Sequence, residues 1–238
     1  MSGSNVVRWF GIATMNILAT GVAFYSLRYL GALADVWLDI DPAVRAVIAA
    51  VPSQALAHML FGPIALLLGP VQFLQRLRAA HPRLHRWSGR LYVVACLVSG
   101  TAALATAPFA SGGPVAGLGY GMLAVLWVAT TLGAWHAAML RQFALHRLLM
   151  RFSYAMTFAA VTLRLQIPVG FALGYESYSA MSIWLAYTAW IPNLVVVALY
   201  SVAEAWWRRE VDATVNRPRL EATDFSGSLA MSTAKNSL

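Results

Sequence analysis

The chain has 238 residues, 60% of them hydrophobic and only 11% charged, with a mean hydropathy of +0.64. A soluble domain carries about 25% charged and about 45–50% apolar residues, so no single soluble core of this length hides so much apolar surface. The composition describes a membrane protein and excludes a disordered chain, a collagen and a secreted disulfide scaffold.

The net charge of +8, from 17 basic against 9 acidic residues, reads as orientation in a membrane protein, because Lys and Arg gather in cytoplasmic loops. No nucleic-acid partner is expected. Lys235 is the only lysine; a GC-rich coding bias accounts for that, and guanidinium forks also suit phosphate and carboxylate. Cys96 is the only cysteine and lies in an apolar run, so neither an intrachain disulfide nor a thiolate metal site is available.

A helix needs about 20 apolar residues to cross the hydrocarbon core. The uncharged run Trp9 to Leu27 is 19 residues long, longer than a signal-peptide core. It reads as a retained first span over 9–31, although Ala32-Leu33-Ala34 resembles a cleavage site. The 30 uncharged residues between Arg45 and Arg76 predict a second span over 54–75. A further 50 separate Arg90 from Arg141. They are interrupted by the turn signal from Pro108 to Pro114, which predicts two helices over 88–108 and 116–139. Spans over 148–168 and 180–203 follow, with Trp206 and Trp207 as interfacial anchors.

Placing both termini in the cytoplasm puts Arg76, Arg78, Arg83, Arg86, Arg90, Arg141, Arg147, Arg151, Arg208 and Arg209 in or beside cytoplasmic segments. The opposite side receives Asp35, Asp39, Asp41 and Glu176. The expected fold is therefore an all-α polytopic transmembrane bundle of six spans over 1–207, in a bacterial cytoplasmic (inner) membrane. The polar, Ser- and Thr-rich tail over 208–238 is expected to be disordered.

One internal repeat stands out. Span three opens with Leu84-His85-Arg86-Trp87-Ser88-Gly89-Arg90, and span five with Leu145-His146-Arg147-Leu148-Leu149-Met150-Arg151, 61 residues further on. Both read Leu-His-Arg-x-x-x-Arg, so spans two–three and four–five form two related hairpins. Arg86 with Arg90, and Arg147 with Arg151, are like-charged i, i+4 neighbours that repel by about 0.2–0.5 kcal/mol per pair. Cations near a helix N-terminus are disfavoured as well. Two unfavourable placements made twice point to an anion that compensates them, either a bound phosphate or carboxylate or the headgroups of anionic lipid.

Of the histidines, His81 reads as a solvated loop residue, His58 belongs near the outer surface, and His85, His136 and His146 near the inner one. Arg164 lies about 24 Å into span five, at the level of His58. An intramembrane charge is a functional candidate; here it either pairs with Glu176, Asp35, Asp39 or Asp41, or joins His58 and Gln166 in an outer polar site. Haem b is the alternative use of the inner histidines: bis-His ligation needs two imidazoles at one depth, which His85 and His146 satisfy, with His136 as a substitute. Gly62-Pro63 and Gly69-Pro70 read as kinks or packing notches that also free backbone carbonyls.

These residues also carry a family likeness. His58, Gly62, Gly69-Pro70-Val71-Gln72-Phe73, Arg78, the block from His85 to Tyr92, Trp127, His146-Arg147 and Val161-Thr162-Leu163-Arg164 resemble the pattern of the bacterial membrane proteins known as domain of unknown function 2306. The resemblance covers about 50–170. It implies a polytopic membrane protein and no particular reaction, and His81 and His136 stand outside its pattern.

The functional expectation is a binding or transport-type membrane protein, with no enzymatic class assigned and no cofactor. His85, Arg86, Arg90, His146, Arg147, Arg151 and Gln72 would hold an anionic lipid head or a small anionic metabolite, and His58 with Arg164 would form the outer site. The alternatives are a haem b redox protein with His85 and His146 as axial ligands, and an accessory subunit with a membrane-protein partner or in a homo-oligomer.

Overall fold

The computed structural model describes residues 3–29 and 40–211, with side chains from Phe10 onward. The described residues are almost wholly helical, and six helical segments are long and apolar enough to cross a membrane. They run Phe10–Tyr29, Pro52–Gln72, Pro82–Phe109, Gly113–Met139, Phe143–Ala172 and Tyr178–Val211. Asp35, Asp39 and the tail over 212–238 lie outside the described residues.

In chain order, α1 (Gly3–Ser26) is the first span and α2 (Pro42–Ala50) a short helix capped by the Asp41 carboxylate, which accepts from the Ala43 N–H at 2.8 Å. Then come α3 (Pro52–Gln72), the short α4 (Gln75–Ala80), α5 (Pro82–Thr106) and α6 (Gly113–Met139). Span five is divided into α7 (Phe143–Thr157) and α8 (Ala159–Ala172). Span six is divided into α9 (Tyr178–Thr188) and α10 over 191–211. Proline opens α2, α3 and α5, where its missing N–H costs nothing and its fixed φ suits the first turn. Pro82 starts α5 six residues before the predicted span over 88–108, so Arg90 and its repeat counterpart Arg151 lie two turns inside their helices. Helix-dipole effects fade within the first turn and bear little on those two charges.

Two helix ends show how local chemistry sets the connections. After α8, Gly174 takes a left-handed φ of 92° and Tyr175 N–H donates to Gly170 O at 3.1 Å. After α6, Arg141 takes the same role at φ 59°, with Gln142 N–H donating to Ala137 O at 2.8 Å. Both are Schellman closures, the second with an arginine where glycine is usual.

The packing is inside-out relative to a soluble protein. Ala65, Ala95, Ala116, Ala134, Ser99, Thr131 and Ser153 are fully buried, while Leu118 is 62% and Leu173 72% exposed. Lipid tails reward no apolar burial, so membrane helices associate through small residues that let backbones approach. Gly62 faces the Ser99 hydroxyl, and Gly119 lies against Ala186. Helices α3, α5, α6 and α7 close a ring in that order, each packed on its neighbours, with α5 and α7 on one diagonal. Helix α1 packs on α3, and α9 on α6.

The Gly69-Pro70 motif is a docking notch for a tyrosine. Pro70 has no N–H, which releases the carbonyl of Leu66 four residues earlier. The Tyr154 hydroxyl donates to that carbonyl at 3.4 Å, and the Tyr154 ring occupies the space a side chain at position 69 would need. The freed acceptor is thus taken by the protein itself.

The break in span five has a different cause. At Phe158 the α7 ladder ends without proline or glycine, and Asn193 closes the gap from α10. Its Nδ2 donates to Ala155 O at 3.1 Å and Ala189 O at 3.2 Å, while its Oδ1 accepts from the Thr162 hydroxyl at 3.1 Å. One side chain therefore satisfies backbone at the interruptions of both span five and span six.

The chain divides into a unit of residues 1–195 and a second beginning at 196. Within the second, helix continues to Val211, Arg208 pairs with Glu204 at 2.7 Å, and Trp206 and Trp207 are exposed.

Candidate functional site

The repeat is geometric as well as sequential. His85 and His146, its equivalent positions, sit two turns before Tyr92 and Ser153 on the two diagonal helices, within range of one another's charge. Seven residues further on, Tyr92 and Ser153 are again equivalent, and their hydroxyls hydrogen-bond at 3.0 Å. The contacts within each hairpin also correspond: Gln72 reaches Ser88 and lies over Gly89 in the first, and Gly133 meets Leu149 in the second. Positions 72 and 88 map onto 133 and 149 by the same offset of 61. The two hairpins are thus related by a pseudo-twofold axis running between α5 and α7.

The predicted inner residues divide between two faces. His85, His146 and Gln72 point into the bundle. Gln72 is buried and its Nε2 donates to the Ser88 hydroxyl at 2.9 Å. His146 Nδ1 donates to Ala134 O at 2.8 Å, whereas His85 Nδ1 is buried with no hydrogen-bond partner among the described residues. Arg86, Arg90 and Arg147 are exposed, and Arg151 is half-buried. Arg90 stacks its guanidinium 5.1 Å from the ring centre of Trp87, itself 68% exposed. Helical periodicity explains the division: the arginines follow their histidine by one and five residues, which turns them about 100–140° away from it. The histidines and arginines of the motif do not line one pocket. Arg78 is exposed, yet its charge and that of Arg86 act on His85. His136 is exposed beside Trp135, and His81 is exposed where α5 begins.

At the other end, His58 Nδ1 lies 3.0 Å from Ser99 O and 2.9 Å from the Ser99 hydroxyl. Arg164 donates to Ala160 O at 3.0 Å and to the buried Ser26 hydroxyl at 2.9 Å, and its charge acts on His58. Its Nε is buried without a hydrogen-bond partner among the described residues. Neither Asp41 nor Glu176 bonds to it among the described residues. Gln166 is elsewhere, exchanging hydrogen bonds with Thr188 at 3.1 and 3.2 Å. Arg164 and His58 therefore share a region that Gln166 does not join. Around Arg164 stand Tyr25, Tyr29 and Tyr178, the last bonded to Tyr120 at 3.2 Å.

Between the two ends lies a cluster that residue-by-residue reading of the sequence does not single out. The Tyr92 hydroxyl meets Ser153 and Thr157, Thr131 meets Ser153 at 2.7 Å, and the Trp127 indole N–H donates to Thr157 at 2.9 Å. All are buried, and Cys96 lies among them. The usable signal was the repeat, which pairs Tyr92 with Ser153. No group of three or more metal-ligating side chains occurs among the described residues.

The family model for predicted membrane proteins designated DUF2306 matches residues 55–201, well over half of the chain. The chain belongs to the DUF2306 family. The match takes in the ring of four helices, the repeated motif, His58, Arg164 and Asn193, and reaches beyond the resemblance over 50–170 into α10. No curated protein and no solved structure matches the chain. It is an integral membrane protein with several apolar spans, in a family whose description assigns no activity.

Proposed function

We propose that this protein binds an anionic headgroup, phosphate or carboxylate, through the arginines flanking the His85 end of the bundle. The observation that carries the reading is a cluster of exposed guanidinium groups. Arg86, Arg90 and Arg147 stand exposed, and the spans that carry them hold no Asp or Glu. Their outward facing favours groups lying at the membrane surface over a ligand enclosed in the bundle, and Trp87 beneath Arg90 suits an interfacial position. With the termini in the cytoplasm, this end faces the cytoplasmic leaflet of an inner membrane. Each guanidinium near an anionic surface contributes about 1 kcal/mol. Replacing both Arg90 and Arg147 by alanine is therefore expected to weaken retention of phosphatidylglycerol by about 30-fold, at about 1.4 kcal/mol per decade. Native mass spectrometry of the protein in mixed phosphatidylglycerol and phosphatidylcholine micelles reads this directly. Unchanged phosphatidylglycerol retention in the double variant overturns the proposal.

A second reading, haem b held by His85 and His146, is favoured by one specific contact. The Ala134 carbonyl engages His146 Nδ1–H, which leaves the Nε2 lone pair for a metal, the usual arrangement of a ligating histidine. The equivalent imidazole on the diagonal helix, His85, would supply the second ligand. An optical spectrum of protein purified from haem-replete cells decides it: a Soret band lost on His146→Ala supports haem, and a colourless folded preparation removes it.

A further inference from the structure

We infer that the groove between α5 and α6 seats one acyl chain of an anionic phospholipid, whose phosphate is held by Arg90 and Arg141 at the His85 end of the bundle. The inference rests on the headgroup reading above and narrows it, from any anionic group to a lipid with a fixed seat for its chain. The groove is an open cavity of about 410 Å³ lined by Leu97 of α5 and by Leu132, Trp135, His136 and Met139 of α6. Small-ligand sites span about 300–1,000 Å³, so the space suits part of one chain.

Helical register builds the groove from two stripes. On α5, Arg90, Val94 and Leu97 recur at four- and three-residue spacing on one side of the helix, and Arg90 and Val94 are exposed. On α6, Leu132, Trp135, His136 and Met139 share one side in the same way, and all four are exposed. Helix α5 runs away from the His85 end and α6 returns to it, so the stripes lie antiparallel on two packed helices. Arg90 precedes Leu97 by about 10 Å along the axis, and Arg141 follows Met139 by two residues at the same end. The groove is thus apolar along its length and cationic at one end, and the spans that border it hold no Asp or Glu.

The lining selects a flexible chain over a helix. Inside this bundle the helices meet through Gly, Ala, Ser and Thr, the small residues that let membrane backbones approach. The groove presents none of these. Its walls are long side chains, and methionine in particular adapts to an irregular occupant. The Trp135 indole N–H donates to Met139 Sδ at 2.9 Å, which satisfies that donor within the wall itself.

Arg141 adds an independent observation. Its φ of 59° lies in the left-handed region that favours glycine, and Gly174 fills the matching place after α8. An arginine at that position is disfavoured by the backbone and accounted for by its guanidinium, exposed at the cationic end of the groove. Bilayer tails are as apolar as the groove, so burial alone gives a chain no reason to prefer it. The two charges supply the affinity, and the groove supplies the position.

The test uses the full chain in mixed phosphatidylglycerol and phosphatidylcholine micelles, with phosphatidylglycerol carrying a diazirine midway along one acyl chain. Irradiation followed by peptide mass spectrometry maps the adducts. They are expected to concentrate around Leu97 and over 132–139, and the same labelled chain on phosphatidylcholine is expected to mark those residues less. Arg90→Ala and Arg141→Gly are each expected to lower the phosphatidylglycerol label there about fivefold, the factor for one guanidinium at an anionic surface. Arg141→Gly is also expected to melt at or above the wild-type temperature, since glycine suits that φ. Leu132→Trp fills the groove and is expected to scatter the label, whereas Leu118→Trp, near the other end of α6, is expected to leave it in place. Phosphatidylglycerol label spread evenly over the lipid-facing residues of the wild-type protein overturns the proposal, as does wild-type labelling in Arg141→Gly or Leu132→Trp. Native mass spectrometry separates the two readings. Equal retention of both lipids by the wild-type protein overturns headgroup binding and the chain seat together, and preferential phosphatidylglycerol retention with scattered label overturns the chain seat alone.

Discussion

Gly69→Ala is the sharpest test of how α3 and α7 come together. A Cβ at position 69 would run into the Tyr154 ring, whose edge fills that space. Extra volume in a packed core costs about 1–3 kcal/mol. Moving the ring also withdraws its hydroxyl from Leu66 O, the carbonyl released by Pro70, and an unsatisfied buried acceptor costs about 1–3 kcal/mol more. Against this, alanine is the better helix former by about 1 kcal/mol. The net expectation is a loss of about 3 kcal/mol. At about 2–4 °C per kcal/mol for a protein of this size, the melting midpoint in detergent should fall by roughly 6–12 °C. Gly21→Ala provides the control, since nothing lies within 4 Å of a Cβ built there; it should be neutral or stabilising by up to about 1 kcal/mol. In a Tyr154→Ala background the penalty at position 69 should largely vanish, because the colliding ring is gone. A Gly69→Ala protein melting at or above wild type, or a penalty that persists without the Tyr154 ring, refutes the reasoning.

Asn193→Ala strips partners from Ala155 O and the Thr162 hydroxyl and is expected to cost about 1–3 kcal/mol. Asn16→Ala, which removes only a bond to Ile12 O within α1, should cost less when the two are melted side by side. Cys96, fully buried and the only cysteine, should resist maleimide in mild detergent and react fully in sodium dodecyl sulfate; rapid labelling of the native protein contradicts the packing around Tyr92. Orientation is testable in a Cys96→Ala background. Ser111→Cys should react with a membrane-impermeant maleimide on intact cells and Gln142→Cys only after permeabilisation; the reverse pattern places the termini outside.

The six spans were legible because the bilayer imposes a length, and the uncharged runs between Arg45 and Arg76 and between Arg90 and Arg141 meet it. Span ends were less legible: charged residues read as loop, yet Pro82 carries α5 through Arg83, Arg86 and Arg90. The Gly69-Pro70 notch was legible as a notch. Its occupant was not, since Tyr154 lies 88 residues from Leu66. The break at Phe158 has no local signature, because the residue that tolerates it, Asn193, belongs to another span. Arg86 and Arg147 were recognised as a pair, while their turn away from His85 and His146 follows from helical geometry that motif spacing alone understates. The hydroxyl cluster escaped for the opposite reason: Thr131, Ser153 and Thr157 are ordinary helix residues until three helices bring them together.

The pseudo-twofold axis has a packing corollary. A residue on such an axis meets its own counterpart, so two identical hairpins would set tyrosine against tyrosine, or serine against serine. The first pair overfills the space between α5 and α7, and the second leaves a hole. Only where the two hairpins differ, one carrying a large phenol and the other a small alcohol, do Tyr92 and Ser153 fill the gap with a hydrogen bond. The repeat thus supplies the scaffold, and broken symmetry at a single level supplies its polar centre. Restoring the symmetry, by Ser153→Tyr or Tyr92→Ser, is expected to harm the protein more than most conservative changes at its lipid-facing surface.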